Sequence, residues 1–213
     1  MKGLERRAFD VIDLEVRASA DDGDSKKIRG YAARFDKLSE ELWGFREKIA
    51  PGAFAKSIKS DDIRALWNHD PNYVLGRNRS ETLTLDEDEK GLRIEITPPD
   101  TQWARDLLVS IERRDVSQMS FGFITEKDAW DRSDEKNVVR TLEQVRLFDI
   151  SPVTFPAYPQ TSVGVRSAED VYKDFAADQV AAAEAKENKE RKARQEAVAT
   201  RSRELELLTK EMT

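Results

Sequence analysis

From Ala168 to Thr213 the chain contains neither glycine nor proline and is dense in Ala, Glu, Lys and Arg. Nothing there interrupts a backbone ladder of i to i−4 hydrogen bonds, so the stretch predicts one long helix, about 70 Å if unbroken at 1.5 Å per residue. That is far longer than one face of a domain. All nine glycines and all seven prolines fall before it, so every turn of the chain must be made there. The chain therefore divides into a turn-rich domain, 1–167, and a charged helical extension, 168–213. Apolar residues are sparse in the extension: Val171 and Phe175 near its start, then Val198, Leu205, Leu208 and Met212. Its middle, K-E-N-K-E-R-K-A-R-Q-E, is almost wholly charged. A helix polar on every side is held by a partner, is laced by ion pairs, or does not fold alone. A solvated or disordered tail and a partner-binding helix both fit that pattern.

Upstream, the apolar period is two rather than 3.6, which is the signature of half-buried strands. Ile12, Leu14 and Val16 alternate with charged residues, and Ile28–Phe35 resumes the pattern after a polar turn, predicting a hairpin. Asp36–Lys48 reads as a surface loop, although Leu42, Trp43 and Phe45 are apolar for one. A short helix is expected from Pro51, near its first turn, to about Lys59. Ile63–His69 alternates again, with Ile63, Ala65, Trp67 and His69 on one face of a strand stopping at Asp70-Pro71. Tyr73–Leu75 is a short strand, and Leu83–Ile96 reads as a hairpin around D-E-D-E-K-G. Asp100 or Thr101 caps a helix carrying Trp103, Leu107, Leu108 and Ile111 at helical spacing. A strand through Ser120, a charged hairpin tip from Glu126 to Asn137, and a return strand from Val138 to about Ile150 follow. Pro152, Pro156 and Pro159 then hold the chain extended. The expected architecture is α+β: a mainly antiparallel sheet, open or closed into a barrel, with a few flanking helices and the long C-terminal helix.

The chemistry concentrates in Asp115–Ile124, D-V-S-Q-M-S-F-G-F-I. On a strand, Phe121 and Phe123 share one face while Ser120 and Gly122 share the other. A glycine in a strand marks a bulge or a close approach. Ser120 is either a small hydroxyl in a half-buried strand or a nucleophile, and a nucleophilic serine needs a base in hydrogen-bond reach, itself oriented by a third group. The chain holds a single histidine, His69, which is either structural or that base. Glu143 and Asp149 are the carboxylates on the return strand that could orient it. No G-x-S-x-G elbow is present.

Composition removes other classes. There is no cysteine, hence no disulfide, thiolate metal site or cysteine nucleophile. One histidine makes a multi-histidine zinc site within the chain impossible. With 36 Lys+Arg against 42 Asp+Glu the net charge is −6, without the basic excess of a general nucleic-acid binder. No apolar run of about 18 residues and no signal-peptide core occur, so the chain reads as soluble and intracellular. No cofactor, metal, nucleic acid or membrane partner is expected.

Several segments in order carry a resemblance: G-Y-A-A-R-F at Gly30–Phe35, I-A-P-G-A-F at Ile49–Phe54, L-W-N-H-D at Leu66–Asp70, V-S-Q-M-S-F-G-F at Val116–Phe123, and L-F-D-I-S-P-V-T-F-P-A-Y-P at Leu147–Pro159. Together they resemble the prohead, or capsid maturation, proteases of tailed bacteriophages, whose fold is similar to that of the herpesvirus assemblin serine proteases. The resemblance implies His69 as general base, Ser120 as nucleophile and a later carboxylate as third member, Asp149 with Glu143 as the alternative. Gln144 stands where relatives often have glutamate, and Ser117 and Ser151 lie outside the family's serine position. It also implies the substrates: the scaffolding portion of the major capsid protein, other internal prohead components and the protease itself. The expected setting is the assembling prohead in the host bacterial cytoplasm. On this reading residues 168–213 are scaffold-like and are removed by self-cleavage around Val165–Ala168. A non-enzymatic scaffold or assembly protein keeping a protease-like fold is the alternative.

Overall fold

The structure, a computed structural model, describes residues 3–10, 14–18, 26–134, 136–155 and 167–211. Its elements follow in chain order: β1 (Glu5–Asp10), β2 (Glu15–Ala18), β3 (Lys26–Arg34), β4 (Arg46–Ile49), α1 (Ser57–Ser60), β5 (Arg64–Trp67), β6 (Asp70–Arg77), β7 (Leu83–Glu87), β8 (Gly91–Ile96), α2 (Gln102–Glu112), β9 (Gln118–Asp131), β10 (Val139–Val153) and α3 (Ala168–Glu211), with a 3₁₀ turn at Asn78–Ser80. The α+β class is the expected one. The strands form two open sheets rather than a closed barrel. One has the order β1-β9-β10-β5-β6, with β4 also paired to β10; the other has the order β2-β3-β8-β7. Both are mainly antiparallel, and β4 and β5 run parallel to β10. Residues 1–169 and 170–213 form two separate compact units.

One apolar core draws on both sheets and α2. It takes Ile28, Ala33, Ile94 and Ile96 from the smaller sheet, Met119, Phe121, Phe123 and Ile150 from the larger, and Leu107 and Ile111 from the helix. Phe54 meets the edge of Phe121 at a centroid separation of 5.5 Å, and Phe121 lies 4.9 Å from Phe123. The predicted β2–β3 and β7–β8 hairpins are present, as is α2 behind Thr101, with Ala104, Leu107, Leu108 and Ile111 buried. Ile12, the turn residues 19–25, Pro156, Pro159 and Val165 lie outside the described residues.

Two strands have no apolar signature in the sequence. β1 runs E-R-R-A-F-D and β4 runs R-E-K-I, and charged residues hold inward positions in both: Glu5 is 0%, Arg7 7% and Glu47 2% exposed, with Ile49 the one apolar inward residue of β4. They meet Arg140 of β10, itself fully buried. Arg140 donates to Glu5 at 2.7 Å, to Glu47 and to Asp128 at 2.8 Å each, and to Thr125 at 2.9 Å; Arg7 donates to Glu47 at 2.8 Å and to Glu5 at 3.0 Å. A period-two pattern exists in β1 and β4, but much of it is written in ion pairs, which a hydrophobicity argument passes over.

Three boundaries differ from expectation. Only Ser57–Ser60 of the helix predicted from Pro51 is helical, and turns precede it; Gly52, at φ +86° in left-handed territory, keeps the Pro51-Gly52 start out of the helix. β9 continues to Asp131, so the hairpin tip is shorter than Glu126–Asn137. β5 ends at Trp67, and Asp70-Pro71 opens β6 rather than stopping the chain. β6 is the last strand of its sheet, where a proline costs no ladder bond.

α3 is the long helix expected, 44 residues or about 66 Å. Its side chains are exposed from residue 176 to 197. Among the described residues no helix is long and apolar enough to cross a membrane.

Candidate catalytic site

Two strands and one turn of the larger sheet build the site. Ser120 is the third residue of β9, inside the sheet between β1 and β10; it lies opposite Ala8 on one side and opposite Ser151 on the other. Because side chains alternate along a strand, Ser120 and Gly122 of β9 share a face with Ser151 and Asp149 of β10. Phe121 and Phe123 turn the other way, into the core. The faces are those that the D-V-S-Q-M-S-F-G-F-I alternation predicts.

His69 arrives from the β5–β6 connection. Asn68 and His69 are the two residues between paired Trp67 and Asp70, and both have positive φ, 55° and 58°. Such a two-residue turn suits the twist of a hairpin, but a histidine in it is held against its own backbone preference. Asn68 supplies the restraint. Its N–H donates to the Pro152 carbonyl at 3.0 Å, its Oδ1 accepts from the Thr154 N–H at 2.9 Å, and its Nδ2 donates to Thr154 Oγ1 at 3.3 Å. The histidine turn is thus clamped to the end of β10, the strand that carries Asp149.

The result is a continuous line of hydrogen bonds. His69 Nε2 lies 2.6 Å from Ser120 Oγ, and His69 Nδ1 lies 2.5 Å from Asp149 Oδ2. A carboxylate can only accept, so Nδ1 carries the proton and Nε2 is left to accept from the serine. Ser120 is fully buried, and the His69 and Asp149 side chains are only 5% and 11% exposed. In such surroundings charge interactions are stronger than in water. The arrangement can deprotonate a hydroxyl as it attacks and stabilise the imidazolium that results.

Gly122 has a use that its composition alone did not reveal. A Cβ there would lie 2.4 Å from Asp149 Oδ1; the close approach expected beside Ser120 is that of the carboxylate. Glu143, the alternative acid, is elsewhere and pairs with Lys127 at 2.6 Å. Gln144 accompanies Glu126, and Ser117 is exposed. Ser151 is a residue that sequence reasoning set aside. It is fully buried, and its hydroxyl donates to Asp149 Oδ2 at 2.9 Å. Its position two residues after Asp149, on the same strand face, is the signal that could have found it.

A serine, histidine and aspartate in one hydrogen-bonded line are the arrangement that serine hydrolases use. The family model of the caudovirus prohead serine proteases matches residues 12–174, and the chain belongs to that family. The solved structure of the bacteriophage T4 capsid assembly protease, gp21, is similar at a TM-score of 0.45 and 11% identity, covering 71% of this chain and 97% of that one. No curated protein matches the chain.

Proposed function

We propose that this chain is a serine endopeptidase that processes the capsid scaffold, and itself, during prohead maturation. The observation that carries the reading is the unbroken line from Ser120 Oγ through His69 to Asp149 in a chain of the prohead protease family. Ser120 is the nucleophile and attacks the scissile carbonyl while His69 Nε2 takes its proton. Asp149 holds the Nδ1–H tautomer and stabilises the imidazolium. The imidazolium then protonates the leaving amine, giving an acyl-enzyme. Water, deprotonated by the same imidazole, releases the acid and restores Ser120.

The protease domain is residues 1–167, and its partners are the major capsid protein, with its scaffolding segment, and further copies of itself within the prohead in the host cytoplasm. The charged helix 168–213 resembles a scaffold segment, fits a role in recruiting the enzyme during assembly, and is removed by self-cleavage near Val165–Ala168. Co-expression with the major capsid protein of the same phage, followed by intact-mass measurement, tests this. Wild type is expected to shorten the capsid protein and to lose its own tail, and Ser120→Ala to do neither. Particles that assemble with no cleavage by wild type would replace the enzyme with the scaffold reading, and an intact Thr213 terminus in mature particles would remove self-cleavage alone.

A further inference from the structure

Ser151 is buried against the site, and the reaction as proposed gives it no task. Its hydroxyl lies 2.9 Å from Asp149 Oδ2 and 3.3 Å from His69 Nδ1. It carries a single proton, and the carboxylate is the acceptor at the shorter distance, so the proton goes to Asp149. An oxygen lone pair is left facing the imidazole N–H.

We infer that Ser151 is a positioning residue: its hydroxyl holds the Asp149 carboxylate in the rotation that meets His69 Nδ1. The inference rests on the reading of Ser120, His69 and Asp149 as catalytic. The terminal torsion of an aspartate is broad and roughly two-fold, so packing alone selects its angle weakly. Two restraints act here. Gly122 leaves room for Oδ1, which a Cβ would approach to 2.4 Å, and Ser151 draws on Oδ2, the oxygen that also accepts from His69. Buried polar groups are costly without partners, and Ser151 and Asp149 satisfy one another from adjacent positions on one strand face. Ser151 also lies opposite Ser120 in the β9–β10 register, so the support and the nucleophile are fixed by the same ladder.

Two measurements on the full chain test this. The first is labelling of Ser120 by a fluorophosphonate, which the serine oxygen attacks at phosphorus with loss of fluoride; intact mass follows its rate. Ser151→Ala is expected to lower the maximal labelling rate about 10- to 100-fold, as a small misplacement of a catalytic group does, with little change in the half-saturating probe concentration. Ser151→Thr, which keeps the hydroxyl, restores the rate. The second uses the single histidine of the chain: ¹⁵N-histidine labelling reports His69 alone. Its downfield Nδ1–H resonance is expected to shift and to exchange faster with solvent in Ser151→Ala, and to stay in place in Ser151→Thr. Should Ser151→Ala not fold, Ser151→Cys fills the space with only a weak donor and is read in the same two ways. A labelled wild type, with rate and resonance both unchanged in the variant lacking the hydroxyl, overturns the role of Ser151 and leaves the protease reading standing. A wild type that is not labelled at Ser120 overturns the protease reading, and the positioning role with it.

Discussion

Between Gly122 and Asp149 there is no room for a methyl group, since a Cβ at residue 122 would sit 2.4 Å from the carboxylate oxygen that faces it. Gly122→Ala therefore forces either the carboxylate or the strand to move, and the carboxylate is the lighter of the two. Displacement of about 1 Å at a catalytic group typically costs about 10²-fold in rate, so Gly122→Ala is expected to lower Ser120 labelling by about that factor while the chain stays folded. A fluorophosphonate time course with a thermal melt alongside reads both. A labelling rate equal to wild type would mean that Asp149 tolerates the shift and that the glycine has a merely local use. At this scale, too, Asp149 lies beside His69 while Glu143 pairs with Lys127. Both are carboxylates on the return strand, and only the pairing with β9 shows which one lies beside the histidine.

The buried charges of β1, β4, β9 and β10 lock the strands around Ser120 to one another. Glu5, Arg7, Glu47 and Arg140 are each less than a tenth exposed, and an ion removed from such a cluster leaves its partners charged and desolvated. Arg140→Met is expected to destabilise the domain by about 3–5 kcal/mol, whereas replacing all four residues and Asp128, the other carboxylate that Arg140 meets, with apolar side chains of similar volume is expected to cost far less. Urea titrations of the two variants distinguish these outcomes. The same cluster sets an acid limit. Burial acts most strongly on Glu5 and pushes its carboxyl up, but the hydrogen bond from Arg140, the charges of Arg7 and Arg140, and the Thr125 hydroxyl together outweigh it and hold it below the ordinary value of 4.5. A carboxyl depressed by folding contributes stability that is fully present above its unfolded value and is lost as pH falls through the folded one. The urea midpoint is therefore expected to fall on acidification below about pH 5, and to fall less steeply in Glu5→Gln. A midpoint equally pH-dependent in the variant would assign the acid limit to other carboxyls.

Across the whole molecule, Ser120, His69, Asp149, Ser151 and Gly122 all belong to the unit of residues 1–169, and α3 supplies most of the other. A chain ending at residue 174, where the family match ends, is expected to keep Ser120 labelling at the wild-type rate and to lose incorporation into particles; loss of labelling would show that the helix supports the site. The sequence by itself determined the α+β class, the long helix, the β2–β3 and β7–β8 hairpins, α2 and the face that Ser120 shares with Gly122. Each of these follows from local terms: apolar period, turn residues, or the absence of glycine and proline over a long run. Tertiary structure alone decided the rest. Glu5 and Arg7 of β1 and Glu47 of β4 turn inward because distant arginines and carboxylates neutralise one another in the interior, and no local pattern of hydrophobicity records that. Asn68 and His69 adopt left-handed backbone because residues 152 and 154 clamp the turn from across the sheet. Asp149 rather than Glu143 meets His69, and Ser151 meets Asp149, because the β9–β10 register sets which side chains share a face and a height, and a register between strands is a property of their pairing.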